Sequence, residues 1–172
     1  DYYRDAFREG GFIELREVYD LIDAAKAFRS KRRPAGRRVA IVTTSGGAGV
    51  LIADRCEEAG LMLPALTDKT VSELSKLVPP FASLANPIDL TAALAQTEPQ
   101  FTKATGLVAA DPNVDLLIIR SYPGRDVSTW AARIAAAAEE LTKPVLVSLS
   151  GTPGQSADWS RTLDDAGVAC YE

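Results

Sequence analysis

The sequence predicts a three-layer α/β/α domain, in which helices cover both faces of a parallel five-stranded sheet. Short aliphatic runs alternate with helical patterns from residue 37 onward. These runs are continuously apolar, which indicates strands that are buried on both faces. Turn residues separate each run from the helix that follows it, as in crossover connections. We therefore predict a flavodoxin-like sheet of order 2-1-3-4-5, preceded by a helical N-terminal segment.

The N-terminal segment is predicted as a helical linker or appendage over residues 1–36, and the flavodoxin-like domain covers 37–172. Residues 1–9 read as a helix that ends at Gly10. Residues 16–30 carry apolar side chains at helical spacing, which predicts a second helix with one apolar stripe.

The strands are predicted from their aliphatic composition and the helices from apolar spacing or from their termini. Thr70 and Glu73 have the spacing of a capping box, and Pro99 is placed in a first helical turn. Residues 79–92 form the longest irregular stretch. The predicted strands are 38–44, 61–64, 114–122, 144–150 and 168–171, and the predicted helices are 48–59, 68–78, 97–110, 127–141 and 156–167.

Composition limits the classes of function. The 172 residues are 47% hydrophobic with a net charge of −4, which gives no general attraction to nucleic acid or anionic membrane. The absence of histidine excludes histidine-based catalysis by this chain alone. Cys56 and Cys170 form no ligand cluster, so we expect no metal site and no disulfide, and a cytoplasmic location. We also expect the chain to be part of a longer polypeptide.

One segment departs from this mixed charge. Residues 26–38 hold seven cations and no anion. We interpret the segment as a solvated helix end and linker, since charge blocks usually are; docking against an acidic partner domain is the alternative.

The stretch TTSGGAG, residues 43–49, follows the first predicted strand and precedes a predicted helix. Its glycines allow the backbone to approach a ligand closely, and amides at a helix N-terminus favour an anion. The glycines could also serve only close packing of helix on sheet. Both interpretations stay open from the loop alone.

Better-known phosphate loops do not match this stretch. A P-loop requires a lysine that is missing here, and the third glycine of a dinucleotide fingerprint would fall on Ile52. A receiver domain requires acids after the first strand, where Val42, Thr43 and Thr44 stand.

Three motifs, taken in order, carry a family resemblance: TSGGAG at 44–49, AGLMLP at 59–64 and NPIDL at 86–90. With DPNVDLLIIR at 111–120 and KPVLVSLSG at 143–151, the sequence resembles the nucleoside-diphosphate-forming acyl-CoA synthetases. These are relatives of succinyl-CoA synthetase and of ADP-forming acetate–CoA ligase. The resemblance covers nearly the whole chain and points to the second of two flavodoxin-like ligase domains.

The resemblance implies that the full enzyme makes acyl-CoA from a carboxylic acid, CoA and a nucleoside triphosphate, through an acyl phosphate and a phosphohistidine. It implies CoA, ATP or GTP, and Mg²⁺ as cofactors, with none bound by this domain alone. The implied partners are upstream CoA-binding and histidine-bearing domains and a nucleotide-grasp domain or subunit; a homo-oligomer stays open. Because the histidine and the nucleotide-grasp residues lie elsewhere in the family, no catalytic residue is expected in this chain.

The resemblance also implies site residues. The phosphate-binding set is Ser45, Gly46, Gly47, Ala48 and Gly49, and the substrate-pocket set is Thr44, Asn86, Asp89 and Arg125. Plain turn chemistry is the alternative for Asn86 and Asp89, and a surface position is the alternative for Arg125.

Two other functions remain as alternatives. Some protein lysine acetyltransferases carry a similar, inactive synthetase-like region that is regulatory. An FMN-binding flavodoxin-like protein is the third option, because TTSGGAG follows the first strand.

Overall fold

The computed structural model describes residues 2–30, 32–92, 98–121, 127–150 and 153–171, and shows a parallel five-stranded sheet of order β2-β1-β3-β4-β5. The predicted fold class and strand order are confirmed. The strands are β1 Val39–Thr43, β2 Ile88–Asp89, β3 Leu116–Ser121, β4 Val145–Leu149 and β5 Ala169–Tyr171. The helices are α1 Tyr2–Glu9, α2 Val18–Arg29, α3 Gly46–Glu58, α4 Asp68–Ser75, α5 Glu98–Ala110, α6 Val127–Glu140 and α7 Pro153–Asp165. None of these helices is long and apolar enough to cross a membrane.

The second strand is not the one that the sequence predicted. Residues 61–64 contribute only an isolated parallel bridge, between Met62 and Arg38, while β2 comes from the stretch predicted to be irregular. Val42 pairs with Ile88, and Thr43 pairs with Asp89. Two separate segments therefore border β1 on the same edge, one near its start and one near its end.

The two faces of the sheet are packed differently. On one face, Leu117 and Ile119 join a large core with side chains from α4 to α7. On the other face, Val39 and Ile41 pack against Cys56 of α3 and lie in a smaller cluster. Each fully buried aliphatic side chain contributes about 1.5–3 kcal/mol relative to exposure. The predicted layering is confirmed, and the smaller cluster lies on the face that carries α3.

Helix α2 packs against β5, on the same side as α3. Lys26 Nζ donates to the Cys170 carbonyl oxygen at 3.2 Å, and the Tyr171 hydroxyl donates to the Asp23 carbonyl oxygen at 3.0 Å. Arg29 donates to the Asp164 carbonyl oxygen near the end of α7 at 3.1 Å, and Arg32 donates to the Glu139 carbonyl oxygen near the end of α6 at 2.8 Å.

The cationic segment is therefore more than a solvated linker. Its side chains bind carbonyls at the C-terminal ends of helices, where positive charge is favourable. Part of the predicted appendage is thus joined to the domain, and the boundary at residue 36 stays a prediction.

A buried acid fixes the start of β1. Asp115 accepts hydrogen bonds from the Arg38 backbone N–H at 3.1 Å, from Nε at 2.9 Å and from Nη2 at 2.7 Å. The bonded guanidinium lowers the pKa of the Asp115 carboxyl to about 2, against the opposing effect of burial. A Cβ on Gly36 would lie 2.5 Å from Asp115 Oδ2, so only glycine fits beside this carboxylate.

Helix α4 is capped by a different threonine from the one predicted. The N-cap is Thr67, whose hydroxyl oxygen accepts a hydrogen bond from the Thr70 backbone N–H. Asp111 accepts from the Thr67 backbone N–H at 2.9 Å and from its hydroxyl at 2.8 Å. Burial raises the pKa of the Asp111 carboxyl, but the hydrogen bonds outweigh it and the pKa is lowered overall.

Candidate functional site

The connection from β1 to α3 is fixed by one threonine. Thr43 Oγ1 accepts from the Ser45 backbone N–H at 2.9 Å and donates to the Ser45 carbonyl oxygen at 3.0 Å. The Thr44 backbone N–H donates to the Arg120 carbonyl oxygen of β3 at 3.2 Å. The first residues after β1 are thus held against the carboxyl edge of the sheet, at the switch point between β1 and β3.

Helix α3 begins at Gly46, two residues earlier than predicted, and Ser45 is its N-cap residue with extended backbone. The Gly49 N–H donates to the Ser45 carbonyl oxygen at 3.0 Å. Among the described residues, none accepts a hydrogen bond from the amides of Gly46, Gly47 or Ala48. Gly46 and Gly47 are exposed and Ala48 is half-buried, so the start of α3, with the positive end of its dipole, lies at the surface.

The three glycines have three different surroundings. A Cβ on Gly49 would lie 2.9 Å from Thr43 Cγ2 and 3.3 Å from Pro87 Cβ, so this glycine serves close packing of α3 on the sheet. A Cβ on Gly46 would lie 3.0 Å from Asp89 Oδ2. A Cβ on Gly47 would meet no atom within 4 Å. The packing interpretation therefore holds for Gly49 and leaves Gly47 unexplained.

Asp89 lies in β2 beside the start of α3. Its Oδ1 accepts from the Thr91 backbone N–H at 2.9 Å, and its Oδ2 faces the α-carbon of Gly46. Because Asp89 pairs with Thr43 in the sheet, its place next to the helix is set by strand register. The structure thus brings together Thr44, Asp89 and the predicted phosphate-binding residues.

Asn86 lies farther back along the edge of β1. Its Nδ2 donates to the Val39 carbonyl oxygen at 2.8 Å and to the Pro64 carbonyl oxygen at 3.2 Å, and its Oδ1 accepts from the Ile41 N–H at 3.0 Å. The Asn86–Pro87 peptide is cis. Backbone groups thus occupy this side-chain amide, and its predicted role in a substrate pocket stays a prediction.

Two further predictions concern Arg125 and the absence of a metal site. Arg125 lies outside the described residues. In the part of the chain that the structure describes, no three acidic, histidine or cysteine side chains are grouped to hold a metal ion.

A row of polar residues crosses all five strands near their carboxyl ends, and sequence patterns did not predict it. The strand register aligns Asp89, Thr43, Arg120, Ser148 and Tyr171, in sheet order. Paired residues of parallel strands point to one face, which here is the face covered by α3. Two residues earlier on that face the row is apolar, with Ile41, Ile118 and Leu146.

Arg120 is the cation in this row. Its Nη1 donates to Ser148 Oγ at 3.1 Å, and its Nη2 donates to Ser150 Oγ. Burial lowers the pKa of the guanidinium from its ordinary value, although arginine stays protonated at neutral pH. A single charged residue near the end of an apolar strand was the sequence signal that could have identified it.

Comparison with known proteins gives the site its context. Residues 39–171 match the family model described as Ligase-CoA domain. The chain is 35% identical to the alpha subunit of acetate–CoA ligase [ADP-forming] II from Pyrococcus furiosus, over 99% of this chain and 38% of that subunit.

Solved structures agree with this match. The dinucleotide forming acetyl-coenzyme A synthetase 1 of Ca. Korarchaeum cryptofilum is 31% identical and matches in its apo form with a TM-score of 0.87. The structure of the same protein in complex with phosphate and ADP matches with a TM-score of 0.86. Each match covers 99% of this chain and 37% of the other, so the chain spans well under half the length of these relatives. The chain belongs to the Ligase-CoA domain family.

Proposed function

We propose that this chain is the ligase domain of an NDP-forming acyl-CoA synthetase, and that the start of α3 receives the transferring phosphoryl group. The observation that carries the proposal is the set of amides at Gly46, Gly47 and Ala48, which lack acceptors among the described residues at a helix start whose two glycines are exposed. The open space at Gly47 supports it, because neither packing nor backbone conformation requires a glycine there.

The amides would act by electrostatic stabilisation. Helix N-terminal N–H groups bind phosphate oxygens, and their dipole favours the negative charge that a phosphoryl group carries. A charge near a helix terminus is worth about 0.3–1 kcal/mol when exposed and about 2 kcal/mol when partly buried. Such donors, fixed before the reaction, accelerate the transfer step when they bind its charge more tightly in the transition state.

The other functions of the enzyme belong to segments outside this chain. We propose that they supply the phosphorylated histidine, the CoA-binding domain and a nucleotide-grasp domain or subunit, in a cytoplasmic enzyme. The full enzyme would use CoA, ATP or GTP, and Mg²⁺. The P. furiosus relative is named as an alpha subunit, and this chain matches 38% of it, which supports the need for further domains.

The remaining site residues are proposed with their roles. Ser45 and Gly49 would complete the phosphate-binding turn. Thr44, Asp89 and Arg125 would line the substrate pocket, with Asn86 behind them at the edge of β1.

The test adds negative charge where the phosphoryl group would bind. In the enzyme assembled with its companion domains, Gly47→Asp places a carboxylate at the start of α3, where an added Cβ meets no atom within 4 Å. An acid in the first helical turn favours the helix, so stability should hold. Acid-dependent release of ADP or GDP and formation of acyl-CoA should both fall by at least about tenfold, since two like charges would compete for the same amides.

The matched control is Gly106→Asp in α5, a second helical glycine whose missing side chain faces open space. This variant adds the same charge away from the site and should retain activity. Unchanged activity in Gly47→Asp would overturn the role of the helix start. An unaltered assembly that never forms acyl-CoA would instead favour the regulatory acetyltransferase-linked function.

A further inference from the structure

Arg120 is a partly buried cation whose guanidinium donates hydrogen bonds to two serine hydroxyls. A guanidinium has five N–H donors, and Ser148 and Ser150 each accept one. Three donors, including Nε–H, have no acceptor among the described residues. In the same part of the chain, no carboxylate lies within 4.0 Å of this guanidinium.

This arrangement differs from that of the other partly buried arginine at the sheet. Arg38 is matched by Asp115 in a bidentate ion pair. For Arg120, no carboxylate among the described residues takes that place, although a buried charge is costly unless it is paired. Burial lowers the pKa of its guanidinium, which is the direction expected for a cation that lacks a counter-ion. A guanidinium that has no counter-ion in the protein itself can bind an anionic ligand.

The location of Arg120 gives that anion a place. In the sheet, Arg120 is the direct neighbour of Thr43, at the roughly 4.8 Å spacing of adjacent strands. Its carbonyl oxygen accepts from the Thr44 N–H, and Thr44 immediately precedes the start of α3. Arg120 and the start of α3 thus belong to one carboxyl edge of the sheet, where ligands of parallel α/β sheets bind, and the guanidinium reaches along this edge toward β4.

We propose that Arg120 binds an oxyanion of the acyl-transfer reaction: the carboxylate of the acid substrate, or the phosphate that α3 also faces. The identification of this anion as a reactant rests on the proposed function. The two hydroxyls of Ser148 and Ser150 position the guanidinium and leave donors for two oxygens of one anion. Arginine suits this task better than lysine, because its planar fork matches carboxylate and phosphate.

The first test uses this chain alone and needs no activity, since the five-stranded sheet and the helices on both of its faces lie within it. The arginine Nε–H resonances of ¹⁵N-labelled protein are followed while inorganic phosphate or acetate is added. The Arg120 resonance is identified by its loss in Arg120→Lys. It should shift saturably with at least one anion, while the resonance of Arg55, exposed and paired with Glu58, should not.

The second test uses the assembled enzyme and distinguishes the two anions. If Arg120 binds the carboxylate, Arg120→Gln raises KM for the acid by about 10- to 100-fold, with little change in KM for phosphate in the reverse reaction. If Arg120 binds phosphate, the pattern is reversed. Arg120→Lys should restore part of the loss, and Arg55→Gln should match the unaltered enzyme.

The proposal is overturned if the Arg120 resonance responds to neither anion, or if Arg120→Gln leaves both KM values within about twofold. An Arg120 resonance that shifts while the unaltered assembly forms no acyl-CoA retains the anion site and rejects only the proposed function. The two proposals can therefore fail separately.

Discussion

The side-chain amide of Asn86 pairs with the backbone N–H of Ile41, a donor that the neighbouring strand of a sheet would ordinarily bind. The same amide donates to the Val39 carbonyl oxygen. Nearer the start of β1, the Met62 carbonyl oxygen accepts from the Val39 N–H. Nearer the end of β1, the Leu90 N–H donates to the Thr43 carbonyl oxygen. The Asn86 side chain thus fills the gap between the two segments that border β1, and the backbone polar groups of β1 in that gap have hydrogen-bond partners.

Replacing this side chain should destabilise the fold. Asn86→Ala leaves a backbone donor and an acceptor of β1 without partners, and an unsatisfied buried group costs about 1–3 kcal/mol. Urea unfolding should show the loss in the free energy of unfolding. The control is Asn113→Ala, because Asn113 also donates to a backbone carbonyl, that of Ala65, but at an exposed site. A loss no larger than that of the control would show that β1 does not depend on Asn86.

Asp115 should make stability depend on pH in the acid range. Its pKa is about 2 in the folded protein and near 3.8 when unfolded, so the unfolded chain binds more protons between those values. The contribution of Asp115 is therefore fully present above about pH 4 and is lost as the pH falls toward 2. Asp111, whose pKa is also lowered, contributes in the same direction.

Asp115→Asn should lower the number of protons taken up on unfolding between pH 4 and pH 2, by somewhat less than about one proton. Unfolding curves across that range would measure it, with Asp158→Asn as the control because Asp158 is exposed and lies 3.9 Å from Arg161. An acid dependence identical in Asp115→Asn and the unaltered protein would contradict the assigned pKa.

The glycines of α3 should respond in opposite ways to alanine. Gly49→Ala forces a methyl group against Thr43 and Pro87, which should cost about 1–3 kcal/mol through overpacking. Gly47→Ala meets open space and should stabilise the protein by up to about 1 kcal/mol, since alanine favours a helix. Thermal unfolding of the two variants compares them directly. Equal effects would mean that close packing does not distinguish these positions.

The attachment of α2 should depend on Arg32. Arg32→Ala removes the hydrogen bond to the Glu139 carbonyl oxygen, so amide hydrogen exchange should become faster in α2 while the sheet keeps its protection. Arg37→Ala is the matched control, because Arg37 is an exposed cation of the same segment and lies seven residues beyond the C-cap of α2. Unchanged exchange in Arg32→Ala would show that α2 is held by its other contacts.

The sequence predicted the fold class because its signals were local. Continuous aliphatic runs located β1, β3, β4 and β5, and helical patterns lay between them. Strand β2 has only two residues, and farther back along β1 an asparagine side chain stands where further strand hydrogen bonds would be. The apolar run at 61–64 was the stronger strand signal, although it forms only a bridge. The pattern of apolar residues does not predict that a side chain will replace the backbone hydrogen bonds of a strand.

The candidate site was partly predictable for a related reason. The glycines marked the helix start, but their low helix propensity hid that α3 includes them. Arg120 was missed because its importance depends on register, which aligns it with Thr43 and Ser148 from distant parts of the chain. The spacing of residues within one strand does not predict how that strand aligns with its neighbours.

The double hydrogen bond between the Thr43 hydroxyl and the Ser45 backbone has a kinetic consequence. Because the turn is already ordered, the entropic cost of ordering the amides at the start of α3 is incurred during folding and not at each encounter with an anion. Capture of the anion should then require no prior rearrangement, and its rate should be governed by diffusion and charge. Such a preorganised turn would suit the phosphoryl group of the proposed function, which would have to leave again after each transfer.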